Sequence, residues 1–72
     1  MLIWMQPRAG EEQIKAVLSA VVAAGFRHKR GQSGAVARIV VGDRGFDKKP
    51  DYARFEKMPG VDIVEKIVAE VP

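Results

Sequence analysis

Residues 25–34, GFRHKRGQSG, gather most of the side chains that could do chemistry. Arg27, Lys29 and Arg30 surround His28, the only histidine of the chain. An imidazole can act as base or ligand, and clustered cations can meet an anion or an acidic partner. No carboxylate lies beside His28 in sequence. With no second His and no Cys, there is no metal pair. Ser33, between two glycines, reads most simply as a turn residue. Arg38, in AVARIVV, is a lone cation on an apolar run. It could pair with a carboxylate from a ligand or partner if it points to an uncovered face; otherwise it snorkels to solvent at a sheet rim. GDRG at 42–45 resembles a phosphate loop only superficially. A phosphate cradle opens a helix directly, and here polar residues intervene. No nucleophile–base pair or carboxylate dyad is suggested. The residue set fits a binding or regulatory module better than a complete enzyme.

These side chains must be positioned by a small set of elements. LIWMQ is short, apolar and bounded by Pro7, which cannot donate to a ladder; it reads as a buried strand. Ile14, Val17, Leu18, Val21 and Val22 fall on one helical stripe. Glu11 and Glu12 suit the positive end of the helix dipole, and Gly25 lies where a helix stops in a left-handed turn. The spacing predicts a helix over 11–24. FRHKR reads as an edge strand whose charge discourages sheet-to-sheet association. GQSG predicts a turn. AVARIVVG predicts a stronger strand, with Ala35, Ala37, Ile39 and Val41 facing one way and Val36, Arg38 and Val40 the other. DRGFDKKP reads as a polar loop. DYARFEKM reads as a short helix with Tyr52, Phe55 and Met58 inward, ended by Pro59 and Gly60. IVEKIVAEV reads as a last strand.

The order β-α-β-β-α-β, with two right-handed crossovers around a hairpin, predicts an α+β ferredoxin-like sandwich. Its four-stranded antiparallel sheet carries both helices on one face. The first and third strands are central and FRHKR lies at an edge. Leu2, Trp4, Val36 and Val40 are expected on the face without helices, leaving an apolar patch in need of a partner.

Composition narrows the function further. Seventy-two residues make one small domain. The absence of cysteine excludes disulfides, zinc ribbons, iron–sulfur sites and thiol nucleophiles. No secretory signal or membrane span is visible, which predicts a cytoplasmic location and no membrane partner. Residues 26–49 hold seven Lys or Arg against two Asp, a net +5 within a total of +3. That basic middle reads first as a solvated edge with loops. A metal chaperone of this shape would need a Cys-x-x-Cys pair. An acylphosphatase would need an asparagine, and there is none. An RNA-recognition domain would carry aromatics on the third strand, and AVARIVV has none.

In order and spacing, the chain resembles the N-terminal ferredoxin-like regulatory domain of one type of 3-deoxy-D-arabino-heptulosonate 7-phosphate (DAHP) synthase. MLIWMQP matches its N-terminal strand and proline, and EEQIKAVLSAV its acidic helix start. Gly25, His28, RGQSG and ARIVVGD follow in the family's order. FEKMPGV and VEKIV match the end of its second helix and its last strand. The resemblance implies a regulatory domain joined through a linker to a catalytic (β/α)₈ barrel, beginning near Pro72. The chain is then an excised domain or a free-standing relative. That barrel uses a divalent metal to condense phosphoenolpyruvate with erythrose 4-phosphate, the entry to the shikimate route; no cofactor is implied for these 72 residues. The resemblance also implies a tyrosine or phenylalanine effector bound between like domains of neighbouring subunits. His28 matches a histidine that contacts the effector. Two residues on, where that family has serine, stands Arg30, and Ser33 could substitute only after a shift across the turn. The candidate effector-binding residues are therefore His28, Arg30, Ser33 and Arg38, with no catalytic or metal-binding residue. The other readings are a free-standing interaction or oligomerisation module and a small basic nucleic-acid-binding domain.

Overall fold

The computed structural model describes residues 1–42 and 51–67. Their elements are β1 (Leu2–Met5), α1 (Glu11–Ala23), β2 (Arg27–Ser33), β3 (Val36–Gly42), α2 (Tyr52–Glu56) and β4 (Val61–Glu65). The strands form one sheet in the order β2-β3-β1-β4. Every pairing is antiparallel. This is the expected α+β ferredoxin-like arrangement, with β1 and β3 central and β2 and β4 at the edges. Met1 extends the central pairing, since its nitrogen donates to the carbonyls of Val41 at 3.1 Å and Ile67 at 2.6 Å.

The core lies between the sheet and the helices. Ile3 and Met5 of β1, Ala37, Ile39 and Val41 of β3, and Val61 and Val64 of β4 are buried there. Ile14, Val17, Ala20 and Val21 of α1 and Phe55 of α2 pack against them. Each helical residue advances about 100°, from 3.6 residues per turn. The buried stripe is therefore centred near Val17 and Val21, and it takes in Ala20. Val22, expected on the inner face, falls on the flank and is exposed.

Local chemistry fixes the helix ends. Gly10 offers no side chain for an N-cap, and its N–H instead donates to the Gln13 side-chain oxygen at 3.1 Å. At the far end the Phe26 N–H donates to Val21 O and the Gly25 N–H to Val22 O. Gly25 stands at φ +85°, which completes a Schellman stop, and the buried Phe26 closes it against the core. In α2, the Asp51 carboxylate caps the helix by accepting from the Arg54 N–H at 3.2 Å.

The hairpin and the last strand differ in their boundaries from the sequence reading. β2 runs through Gly31 and Gln32 to Ser33, so the turn is only Gly34–Ala35. Gly34 at φ +61°, followed by a residue that is not positive, meets the demand of a two-residue type II′ hairpin, which lets seven residues of β2 pair with β3. Ala35 consequently lies in the turn rather than on the inner face. The last strand starts earlier, at Val61, and ends at Glu65. It breaks register where Trp4 meets Ile63 and Met5 meets Val61. That one-residue bulge at Asp62 leaves two consecutive exposed residues, Asp62 and Ile63, between the buried Val61 and Val64. The DRGFDKKP loop, and the end of IVEKIVAEV, lie outside the described residues.

Candidate functional site

Cross-strand register decides which face each candidate residue occupies. His28 lies opposite Val41 and Arg30 opposite Ile39. Val41 and Ile39 are buried beneath the helices, so His28 and Arg30 belong to the helix side of the edge strand. Ser33 lies opposite Val36, and Arg38 opposite both Gly31 and Trp4. These residues belong to the face without helices. A period of two separates the four candidates into two pairs on opposite sides of the sheet. No single small ligand can touch all four on one copy.

On the helix side, Arg30 is already engaged. Its two terminal nitrogens meet the two Glu11 carboxylate oxygens at 2.6 and 2.8 Å. This bidentate fork ties the first turn of α1 to the edge strand. The Arg30 hydrogen bond holds the Glu11 carboxyl below the ordinary carboxylate value, and the same bond raises Arg30. Both groups remain solvent-exposed, so the pair orients more than it stabilises. His28 is half-buried one pair of residues away along the same side of β2.

The other face is built differently. Among the described residues, the Arg38 guanidinium makes no hydrogen bond or ion pair. Its side chain lies across Gly31, and a Cβ there would stand 3.0 Å from the Arg38 Nε. Glycine on the edge strand thus gives the arginine a place to lie flat. Next to it is an open cleft of about 320 Å³ lined by Trp4, Ser33, Val36, Asp62, Ile63 and Glu65. The Trp4 indole N–H donates to the Glu65 carboxylate at 2.6 Å, which fixes the ring beside this cleft. Asp62 and Ile63 are consecutive yet line the same cleft, as the bulge at this point permits.

Of the sequence candidates, the structure brings Ser33 and Arg38 to one face and His28 and Arg30 to the other. Trp4 and Val36 stand on the uncovered face as the alternation predicted. The part played by Asp62 was not legible, because strict alternation cannot register a bulge, and that of Glu65 depends on its meeting Trp4, 61 residues away. Glu11 was missed as the partner of Arg30, since the two are 19 residues apart.

An α+β sandwich with the strand order β2-β3-β1-β4 and both helices over one face has the ferredoxin-like fold. The family comparison is more specific: the model of the DAHP synthase ferredoxin-like domain matches residues 1–69, and the chain belongs to that family. A comparison with curated proteins gives no match. Among the described residues, no helix is long and apolar enough to cross a membrane.

Proposed function

We propose that the chain is the regulatory domain of a DAHP synthase. It responds to an aromatic amino acid and gates a (β/α)₈ barrel that condenses phosphoenolpyruvate with erythrose 4-phosphate. The family match over residues 1–69 carries this reading. The parent protein is then a transferase of aromatic amino acid biosynthesis, and the divalent metal belongs to its barrel. The domain's partners are that barrel and like domains of neighbouring subunits.

The geometry supports a division of labour among the candidate residues. An amino-acid effector carries an apolar ring, a carboxylate and an ammonium group. The uncovered face offers the Trp4 and Ile63 side chains for the ring, Arg38 for the carboxylate and Asp62 for the ammonium. Ser33 adds a hydroxyl at the hairpin end of the cleft. His28, on the opposite side of the sheet, contacts effector only if it reaches the site of another copy. Arg30 serves α1 through Glu11 and is not needed for recognition. A gate of this kind needs only about 1–3 kcal/mol of coupling between effector and docking.

Thermal unfolding of the chain with added tyrosine or phenylalanine tests the reading. Ligand at about 100 times its dissociation constant should add about 2.7 kcal/mol of stability. In the parent enzyme, Arg38→Ala should weaken feedback by the aromatic amino acid while sparing the uninhibited rate. Feedback unchanged in Arg38→Ala would reject Arg38 as the carboxylate partner. Feedback unchanged in His28→Ala would remove His28 from the effector contacts.

A further inference from the structure

The outer edge of β2 is open. Among the described residues, β2 pairs only with β3. The Val41 N–H donates to the Met1 carbonyl at 2.8 Å, and the Val41 carbonyl accepts from the Met1 nitrogen. The main chain of Val41 is thus engaged with Met1, so its neighbour across the ladder, His28, sits in a non-hydrogen-bonded pair. Such pairs alternate with bonded ones, which places Arg30 opposite Ile39 and Gln32 opposite Ala37 in the same class. The N–H and C=O groups of His28, Arg30 and Gln32 therefore point away from β3, as a template for a further strand.

The side chains of the uncovered face define which strand fits. Arg27 and Lys29 share that face through their register with Gly42 and Val40. The next position on the same face is Gly31, and the Arg38 side chain lies across its bare backbone, Nε 3.0 Å from where a Cβ would stand. Arg38 thus supplies at position 31 the charge that glycine lacks. Positions 27, 29 and 31 carry cations at every second residue, about 7 Å apart along the edge. All three side chains are exposed, and among the described residues they form no ion pair. On the helix side, Arg30 is already neutralised by Glu11.

We propose that the β2 edge takes an extended acidic segment of a partner protein as a fifth strand, with a carboxylate at every second position meeting Arg27, Lys29 and Arg38. Main-chain hydrogen bonds to His28, Arg30 and Gln32 hold the segment, and the cation row selects it. A second β2 is rejected at this edge, because its own cations would stand opposite Arg27 and Lys29. A nucleic acid could match the cations with its phosphates, but it would set those anions against the outward carbonyls of the edge. The proposal does not depend on the effector reading. Arg38 is common to this edge and to the cleft, so the test omits aromatic amino acids.

Fluorescence anisotropy of a labelled peptide of about eight residues, alternating glutamate and threonine, tests this against the full chain. The peptide should bind saturably. A peptide of the same composition with its glutamates in one block should bind at least about tenfold more weakly. Methylating the threonine nitrogens, which face β2 in the expected pairing, should weaken binding as much with every charge retained. Methylating the glutamate nitrogens, which face away, should not. Lys29→Glu should weaken binding at least about tenfold. Gly31→Ala, which displaces Arg38, should weaken it less, with the fold intact by circular dichroism. Amide exchange at His28, Arg30 and Gln32 should slow on binding, while that at Lys29 and Gly31 stays unchanged. Absence of binding overturns the proposal. So does equal affinity for the threonine-methylated peptide, which would leave charge attraction alone. Tighter binding of a single-stranded oligonucleotide of the same charge would overturn it in favour of a nucleic-acid partner.

Discussion

The two faces of one sheet use the same four strands for different ends. The covered face buries Ile3, Met5, Ile39, Val41 and Val64 under two helices. Among the described residues no buried polar side-chain atom lacks a partner. The uncovered face keeps Leu2, Trp4, Val36 and Val40 half-buried and Ile63 exposed, with charges of opposite sign at its borders. The covered face supplies stability; the uncovered one retains open contact area and, in Arg38, a guanidinium with no partner among the described residues. In a 72-residue chain these roles are hard to combine on one surface, because a core this small has little stability to spare.

The largest test of this contrast removes Phe55, which is 1% exposed and joins α2 to the core. Phe55→Ala should cost about 3–5 kcal/mol in urea unfolding, enough to unfold much of the population. A change under about 1 kcal/mol would mean that the covered face is not the stability core.

Gly60 tests the frame that joins the two faces. It stands at φ +85°, a Cβ there would lie 2.7 Å from the Gln13 side-chain oxygen, and its carbonyl accepts from the Gln6 N–H. Gly60→Ala should cost about 1–3 kcal/mol through backbone strain and displacement of Gln13. Thermal unfolding would show the loss, whereas Gly34→Ala, with open space around its Cβ, should show the left-handed penalty alone.

Ile63→Ser lies on the other side of the comparison. Its cost to the unfolding free energy should stay within about 1 kcal/mol, because the side chain is already half in water. A loss as large as that of Phe55→Ala would erase the distinction between the faces.

The smallest effect concerns the Glu11–Arg30 pair at the covered face's rim. Folding lowers the Glu11 carboxyl value from 4.5. Its contribution is therefore complete above the ordinary carboxylate range and is lost as the pH falls through the lowered value. Glu11→Gln should remove that acid-sensitive component and leave the neutral-to-alkaline profile parallel to wild type. Urea midpoints measured from neutral to strongly acid pH would show the difference, and it should shrink in high salt.

Much of this was legible in the sequence. The helical stripe through Val17 and Val21, the Gly25 stop, the alternation that turns Arg38 away from Ile39, and the charged edge all follow from local periodicity. Two misreadings share a physical origin. GQSG looked like a turn because it has two glycines, yet only Gly34 takes positive φ, and Gly31 serves to accommodate Arg38. Val22 fits the stripe in spacing but not the rotation at which α1 meets the sheet. The sequence names His28, Arg30, Ser33 and Arg38 as effector candidates; register sets the first two on the helix side and the last two on the uncovered face.

The sequence by itself determined the order of elements and the faces taken by the residues of β1 and β3, because hydrophobic periods and turn chemistry act over a few neighbours. Only the tertiary structure decided that Arg30 is held by Glu11 while Arg38 has no partner among the described residues. It also decided that Asp62 and Glu65 gather opposite Arg27, Lys29 and Arg38 across an uncovered apolar face. Those relations join residues far apart along the chain, and they arise only when the crossovers bring distant segments into one sheet.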